Sequence, residues 1–171
     1  YYSTRAMEVA YHFGYGLSYT TFAYSNLRLS KEDITDLEQV EITVDVTNTG
    51  TRAGKEVVQL YTTDLTDASR RPVRELKGFE KVQLQPGETR SVTFTLNKRS
   101  FAWYNTKLKD WYTASGLYEV QIGASVEEIR LTQQIRITST QSIPFHVHRN
   151  TTLGELLRDD RTKEYAQVLK D

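Results

Sequence analysis

Three histidines, His12, His146 and His148, are the first candidates for acid-base or metal chemistry in this sequence. His146 and His148 are two residues apart, so in an extended segment both imidazoles would face one side and supply half of a metal site. Their spacing marks no third ligand, and the favoured interpretation is two surface or interface imidazoles. The sequence contains no cysteine and no G-x-S-x-G motif, which removes thiolate chemistry and the serine nucleophile elbow. We therefore expect no metal, no cofactor and no catalytic triad.

Neighbouring carboxylates are the second candidates, because hydrolysis of a glycosidic bond uses two carboxyl groups held about 5 to 9 Å apart. Such neighbours occur at 32–33, 127–128 and 159–160. Adjacent side chains point in different directions, and these pairs stand where turns or helix starts are expected. We interpret them as turn and capping residues, so no catalytic residue is expected in this chain.

Four aromatic residues are arranged for either packing or sugar binding. Trp103 and Tyr104 precede Trp111 and Tyr112 in what is predicted to be one hairpin. Exposed rings of this kind can stack on pyranose rings, but neighbours in a strand face opposite sides. At least one member of each pair is therefore expected in the core or at a domain contact. Packing is the favoured interpretation, and a sugar-stacking site remains the alternative.

A basic run contains Arg70, Arg71 and Arg74. It could bind an anion, but acidic residues at 64, 67 and 75 offset its charge. A solvated loop or a set of interdomain salt bridges is the favoured interpretation.

The overall composition argues against nucleic acid and membranes as partners. The 22 Lys and Arg residues balance 22 Asp and Glu residues, so no long-range field draws the chain to phosphates or anionic lipid. Its apolar runs fall far short of the roughly 20 residues that span a bilayer. The 171 residues suit one domain with its own core. The chain begins with Tyr1 rather than Met, which predicts a processed product or a piece of a larger protein.

Hydrophobic periodicity predicts the elements that position these residues. Between 22 and 137, short runs alternate apolar and polar side chains, as from Val40 to Val46. Turn residues separate them, with Pro86 and Gly87 in plausible type II positions. The run at 56–63 has apolar residues among those on each of its two faces, so both faces are expected to be partly covered. About seven strands in this length predict an antiparallel β-sandwich of immunoglobulin-like type.

The two ends of the sequence lack this alternation. The segment 1–19 contains five tyrosines and a Phe13–Gly16 turn, which is too aromatic for a disordered tag, so we expect it to be buried against something. Near the other end, Thr152 and Glu155 predict a capping box ahead of a helix. A second helix, capped by Asp160, would carry one apolar stripe, formed by Tyr165, Val168 and Leu169.

Five stretches carry a family resemblance in the same order along the chain. They are FGYGLSYTTF at 13–22, GKEVVQLY at 54–61, RPVRELKGFEKV at 71–82, LQPGET at 84–89 and GLYEVQIGAS at 116–125. Together they resemble the C-terminal region of glycoside hydrolase family 3, the β-glucosidase and β-xylosidase family. A further stretch, TLGELL at 152–157, looks like a C-terminal extension of some bacterial members.

The resemblance implies a fibronectin type III-like domain, which agrees with the sandwich predicted from periodicity. In that family this domain follows a catalytic (β/α)₈ barrel and an α/β sandwich domain. The barrel supplies the nucleophilic Asp, and the second domain often supplies the acid/base Glu; neither motif has a counterpart here. Residues 13–18 would then be the exit from the second domain, and 1–11 a severed remnant of it. Tyr11-His12 departs from the Phe-Pro pair usual in the family.

These observations predict three parts: a remnant and linker at 1–19, a fibronectin type III-like β-sandwich at 20–138, and a C-terminal extension with one or two short helices at 139–171. The expected function is that of a non-catalytic accessory domain, which packs on and stabilises the catalytic domains of a β-glucosidase-like parent hydrolase. The interface candidates are Phe13, Tyr15, Leu17, Tyr19, Arg70, Arg71 and Arg74.

Two alternatives to the accessory domain stay open. One is a free-standing carbohydrate-binding module, whose stacking residues would be Trp103, Tyr104, Trp111 and Tyr112. The other is an independent self-association domain that uses the tyrosine-rich start and the helical tail. An accessory domain without its partners would also expose apolar surface, so the isolated chain is expected to have a disordered start, a dimer or a crystal contact covering residues 1–19.

Overall fold

The computed structural model describes residues 7–66, 71–143, 147–158 and 162–168. In these ranges the chain folds into ten strands and three short helices, which confirms the predicted all-β fold with a short helical C-terminal extension. The elements are β1 (Phe22–Leu29), β2 (Asp33–Thr35), β3 (Val40–Asn48), β4 (Gly54–Asp64), β5 (Glu75–Leu84), β6 (Thr89–Leu96), α1 (Lys98–Phe101), β7 (Trp103–Asn105), β8 (Asp110–Tyr112), β9 (Gly116–Gly123), β10 (Ile129–Thr138), α2 (Leu153–Arg158) and α3 (Lys163–Val168).

Two sheets form the sandwich. One has the order β1-β3-β6 and the other the order β2-β10-β9-β4-β5, while β7 and β8 form a separate hairpin. The pairings are antiparallel except that the short β2 runs parallel to β10. Strand β4 therefore lies inside its sheet, between β9 and the edge strand β5.

The core lies between the facing sides of the two sheets. In β3, the predicted alternation is confirmed because Val40, Ile42, Val44 and Val46 are all fully buried. Full burial of such a side chain stabilises the fold by about 1.5 to 3 kcal/mol. Strand β4 is covered on both faces from 58 to 62, also as predicted. Its inward side chains belong to the apolar core, whereas its outward side chains are polar and buried beneath other parts of the chain.

The predicted turn at Pro86 and Gly87 closes as expected. In the turn from Gln85 to Glu88, the Glu88 N–H donates to the Gln85 carbonyl oxygen at 3.0 Å, and Gly87 has a φ of 76°, which suits a type II turn. The buried Asn48 organises the turn after β3. Its Oδ1 accepts from the Gly50 N–H at 3.0 Å, and its Nδ2 donates to the carbonyl oxygens of Arg52 and Leu84.

The helical tail matches its predicted start, and two residues of its predicted apolar stripe are uncovered in the described ranges. The Thr152 N–H donates to Glu155 and the Glu155 N–H donates back to the Thr152 hydroxyl, so the capping box is present. In α3, Tyr165 and Val168 are exposed and Ala166 is the buried residue. Asp160 and Leu169 lie outside the described residues. Within the described ranges, no helix has the length and apolar character needed to cross a bilayer.

A strained turn residue gives the first prediction. Lys109 has a φ of 53° in the β7–β8 turn, a left-handed conformation that costs a side-chain-bearing residue about 1 to 2 kcal/mol. We expect Lys109→Gly to raise the free energy of unfolding by about 1 kcal/mol in urea denaturation, because glycine adopts this φ without strain. Lys107→Gly in the same turn is the control and should give no gain. Equal effects of the two substitutions would contradict the assigned strain.

Candidate interdomain interface

The outer face of the five-stranded sheet buries polar side chains. Alternation along β4 sends Val58 and Leu60 into the core and turns Gln59 and Tyr61 outward, yet both outward residues are buried, as is Gln121 of β9. Buried polar groups need hydrogen-bond partners. The segment that precedes β1 supplies one of them.

Gln59 holds this segment, residues 13–21, which we call the linker. Its Nε2 donates to the carbonyl oxygens of Gly14 at 2.9 Å and Ala124 at 2.6 Å, while its Oε1 accepts from the Tyr61 hydroxyl. Gly14 has a φ of 78°, and a Cβ there would lie 2.1 Å from the Gln59 Oε1. Only glycine therefore allows the linker backbone to approach the Gln59 carboxamide this closely.

Two further contacts fasten the linker on either side of Gly14. The Val126 N–H donates to the Phe13 carbonyl oxygen at 3.0 Å, and the Thr49 N–H donates to the Thr21 carbonyl oxygen at 2.9 Å. The Thr20 hydroxyl also donates to Asn48 Oδ1 at 2.7 Å. The linker is thus bonded to the sandwich at its start, through Phe13 and Gly14, and at its end, through Thr20 and Thr21.

The apolar side chains of the linker point away from this support. Leu17 is 87% exposed and Tyr19 is 94% exposed, and Phe13 is also largely exposed. Tyr15 is exposed too, and its ring lies 5.4 Å from that of Tyr11. The expected burial of this segment is therefore not supplied by the described chain. An ordered backbone that presents uncovered apolar side chains is typical of an interaction surface.

Arg74, one of the interface candidates, is used inside the domain. Its Nε donates to Gln121 Oε1 at 2.8 Å, and its Nη1 donates to the Val126 carbonyl oxygen at 2.9 Å. Since Val126 also binds Phe13, the Arg74 guanidinium supports the corner on which the linker rests. Its role in the fold is to position the linker.

Arg71 is likewise engaged internally. Its side chain is 6% exposed and lies 3.8 Å from Asp64 Oδ2. Its Nη1 donates to the Phe101 carbonyl oxygen at 2.6 Å, and its Nη2 donates to Glu75 Oε1 at 2.7 Å. These bonds fix the end of the loop that leads into β5. Arg70 lies outside the described residues.

The contacts of the Arg71 cluster lower the pKa of Glu75. Burial opposes its ionisation, but hydrogen bonds from Lys77 and Arg71 outweigh that effect and hold the pKa of Glu75 below its ordinary value. The ionised carboxylate is therefore the form that the folded state favours.

The four aromatic residues of the β7–β8 hairpin form two edge-to-face pairs. Trp103 pairs with Tyr112 at 5.9 Å and 86°, and Tyr104 pairs with Trp111 at 5.8 Å and 75°. The Arg99 guanidinium lies 3.4 Å above the Trp111 ring. The predicted single hairpin is confirmed. Perpendicular rings, one of them covered by a cation, are typical of aromatic packing rather than of a flat stacking surface.

The histidines do not converge on a site in the described ranges. His12 accepts a bond from the Tyr15 N–H through its carbonyl oxygen, and His148 accepts from the Asn150 N–H through Nδ1. His146 lies outside the described residues. Among the residues that the structure describes, no group of three or more His, Asp or Glu side chains is arranged to hold a metal ion.

A pocket of about 670 Å³ lies between the linker and the start of β4. Tyr24 and Glu56 line it, and the Tyr24 hydroxyl donates to Glu56 Oε1 at 3.1 Å. Burial raises the pKa of Tyr24 above its ordinary value and, as the largest influence, also raises that of Glu56. Sequence analysis missed this pair, because its members are on different strands. The burial of Glu56 could have been predicted, because alternation along β4 places it on the same inward face as Val58.

The Arg71 cluster gives a pH prediction. Because the pKa of Glu75 is lower in the folded state than in the unfolded state, its ionisation stabilises the fold. This stabilisation is complete above the unfolded glutamate pKa of about 4.3 and is lost as the pH falls through the folded-state pKa. At pH 7, we expect Glu75→Gln to lower the free energy of unfolding by about 1 to 3 kcal/mol, because Arg71 and Lys77 lose a charged partner.

The difference between the wild type and Glu75→Gln should shrink as the pH falls below about 4. Urea denaturation across pH measures this difference, and Glu80→Gln, an exposed site on the same strand, is the control. A difference that does not change with pH would contradict the assigned role of Glu75.

Comparison with known proteins assigns the fold and the linker to one family. Residues 56–126 match the family model of the fibronectin type III-like domain. The thermostable β-glucosidase B of Acetivibrio thermocellus is 46% identical over 159 residues, which cover 93% of this chain and 21% of that protein. A β-glucosidase of Kluyveromyces marxianus is 43% identical over 139 residues, covering 80% of this chain and 16% of that protein.

A solved structure gives the same assignment. The GH3 β-glucosidase of Bifidobacterium adolescentis matches with a TM-score of 0.81 at 34% identity, over 96% of this chain and 24% of that one. The chain thus spans about a fifth of the length of the curated relatives described above. The family resemblance predicted from the five sequence stretches is confirmed. The chain is a fibronectin type III-like accessory domain of the kind carried by β-glucosidases of glycoside hydrolase family 3.

Proposed function

We propose that this domain packs on the catalytic domains of a longer β-glucosidase-like hydrolase and stabilises them, without contributing a catalytic residue of its own. The observation that carries the proposal is the linker, whose backbone is fastened to the sandwich while Leu17 and Tyr19 remain uncovered. The relatives that match this chain are β-glucosidases several times its length, which supports hydrolysis of O-glycosyl bonds as the activity of the whole protein.

The size of the uncovered surface fits an interdomain contact. Aromatic side chains bury about 150 to 250 Å² each when they are covered. The exposed rings of Tyr11, Phe13, Tyr15 and Tyr19 therefore supply much of the roughly 600 to 1,500 Å² that such contacts bury. We propose the same division of the chain as before. The remnant and most of the linker form the part at 1–19, the sandwich at 20–138 includes the last two linker residues, and the extension covers 139–171.

Arg71 and Arg74 enter this proposal as supports of the interface. Their guanidinium groups bind Glu75, Gln121 and Val126 of the same domain. They hold the loop before β5 and the corner beneath Phe13 in fixed positions. Rigid support of this kind lowers the entropy lost when a partner docks.

The two alternatives have less support. Sugar binding by the β7–β8 hairpin would need an open aromatic face, and Arg99 already covers Trp111. Self-association would use the same exposed linker side chains that we assign to the catalytic domains. It is therefore the expected behaviour of the domain when its partner is missing.

The docking proposal predicts the effect of single surface substitutions. The catalytic portion of the longer enzyme, expressed without this domain, should bind the added 171-residue chain and gain thermal stability. Leu17→Ser and Tyr19→Ser should each weaken this binding at least about tenfold, because burying such a side chain contributes about 1.5 to 3 kcal/mol. Calorimetric titration and thermal melting measure both effects.

Leu37→Ser is the matched control, since Leu37 is 71% exposed but lies in the turn between β2 and β3. It should leave the binding unchanged, and none of the three substitutions should change the stability of the isolated chain by more than about 0.5 kcal/mol. The proposal fails if the catalytic portion does not bind the chain, or if Leu37→Ser weakens binding as much as the linker substitutions.

A parallel titration separates the sugar-module alternative from the docking proposal. We expect cello- and xylo-oligosaccharides to produce no binding heat with the isolated chain, and aryl β-glycosides to remain intact. Binding that is lost in Tyr104→Ala would instead support the carbohydrate-binding module. Turnover by the purified chain would contradict the assignment of a non-catalytic domain.

A further inference from the structure

The carboxylate of Glu56 is poorly compensated by the charges around it. It is half-buried in the pocket between the linker and β4, and Oε1 accepts a hydrogen bond from the neutral Tyr24 hydroxyl at 3.1 Å. Among the described residues, Glu56 forms no ion pair, whereas its neighbours Glu128 and Arg130 pair with each other at 3.6 Å. A half-buried anion without a cation is costly in a protein interior.

The neighbouring charges do not remove this cost. Arg130 lowers the pKa of Glu56 and Glu128 raises it, while burial is the largest influence and the net direction is upward. Lys55 also lines the pocket, but alternation along β4 directs its side chain to the opposite face from Glu56. No ion pair among the described residues thus offsets the cost of burying Glu56.

Two aromatic rings lie on the same side of the sheet as this carboxylate. Phe22 and Tyr24 of β1 line the pocket from the core side, to which alternation along β4 also directs Glu56. Phe79 lines the pocket too, but it pairs with Gln59 and is therefore on the outer face with Lys55. The faces of aromatic rings attract cations, and a carboxylate provides a charged hydrogen-bond acceptor. Together these groups match a cation that carries an apolar stem, as the side chains of arginine and lysine do.

We propose that this pocket binds an arginine or lysine side chain presented by the polypeptide that docks on the linker. The inference rests on the proposed function, because the linker residues Phe13 and Leu17 form one wall of the pocket and a partner covering them would seal it. Sealing removes the remaining water from Glu56. A cation from the partner then offsets the negative charge of Glu56, since further burial of an unpaired carboxylate opposes docking.

The isolated 171-residue chain tests the site directly with a small probe. N-acetyl-arginine methylamide, titrated at pH 7 and followed by NMR, should shift the signals of Glu56, Tyr24 and Phe22 in a saturable manner. The matched citrulline compound has nearly the same shape but no charge. It should bind at least about tenfold more weakly, because hydrogen bonds to charged groups contribute about 1.5 to 3 kcal/mol.

Two variants assign the preference to one carboxylate. Glu56→Gln keeps an acceptor for the Tyr24 hydroxyl and should abolish the preference for arginine over citrulline. Glu128→Gln, in the same pocket, should retain it. Arginine binding should also weaken as the pH falls through the raised pKa of Glu56, with Tyr24, Glu128 and Arg130 being the other titratable groups that face it.

The proposal is overturned if citrulline binds as well as arginine, if Glu56→Gln keeps the preference, or if arginine shifts no pocket signal. Docking of the catalytic portion separates this failure from that of the proposed function. Normal docking by Glu56→Gln would remove the cation site and leave the accessory role intact. If the chain binds arginine selectively but does not dock, the cation site stands and the proposed accessory role fails.

Discussion

The carboxamide of Gln59 is the contact on which the arrangement of this domain depends. It is buried on the outer face of β4, where it binds the Gly14 and Ala124 carbonyl oxygens and the Tyr61 hydroxyl. Without the linker, this side chain would be left with an unmatched donor, and without Gln59 the linker would lose its attachment at Gly14. A buried donor that loses its partner costs about 1 to 3 kcal/mol. One side chain therefore couples the sandwich to the segment that precedes it.

The two faces of the five-stranded sheet have different physical tasks. The inner face is apolar and holds the fold together through burial of side chains such as Leu60 and Ile122. The outer face carries a polar network in which Arg74, Gln121 and Val126 fix the corner beneath the linker. Directional hydrogen bonds specify position more sharply than apolar contacts do. Apolar packing on the inner face thus stabilises the domain, and hydrogen bonds on the outer face position the linker.

The sequence predicted the strands better than the surface that they support. Alternation in β3 and the turn at Gly87 depend on local pattern, and both are confirmed. The three-residue β2 and the helix α1 were missed, because such short elements are set by tertiary contacts. The sequence also offered Arg71 and Arg74 as partner-facing groups, whereas their guanidinium groups bind within the domain. Pairing over distances such as that between Tyr24 and Glu56 is invisible to local periodicity.

The central claim is that the domain itself holds the linker backbone in place, while another domain covers the exposed apolar side chains of the linker. Hydroxyl-radical footprinting of the isolated chain and of the longer enzyme tests it most directly, because it reports the exposure of individual side chains. The account predicts rapid labelling of Leu17 and Tyr19 in the isolated chain, strong protection of both in the longer enzyme, and equal labelling of Leu37 in the two. Equal labelling of Leu17 and Tyr19 in both proteins would contradict it.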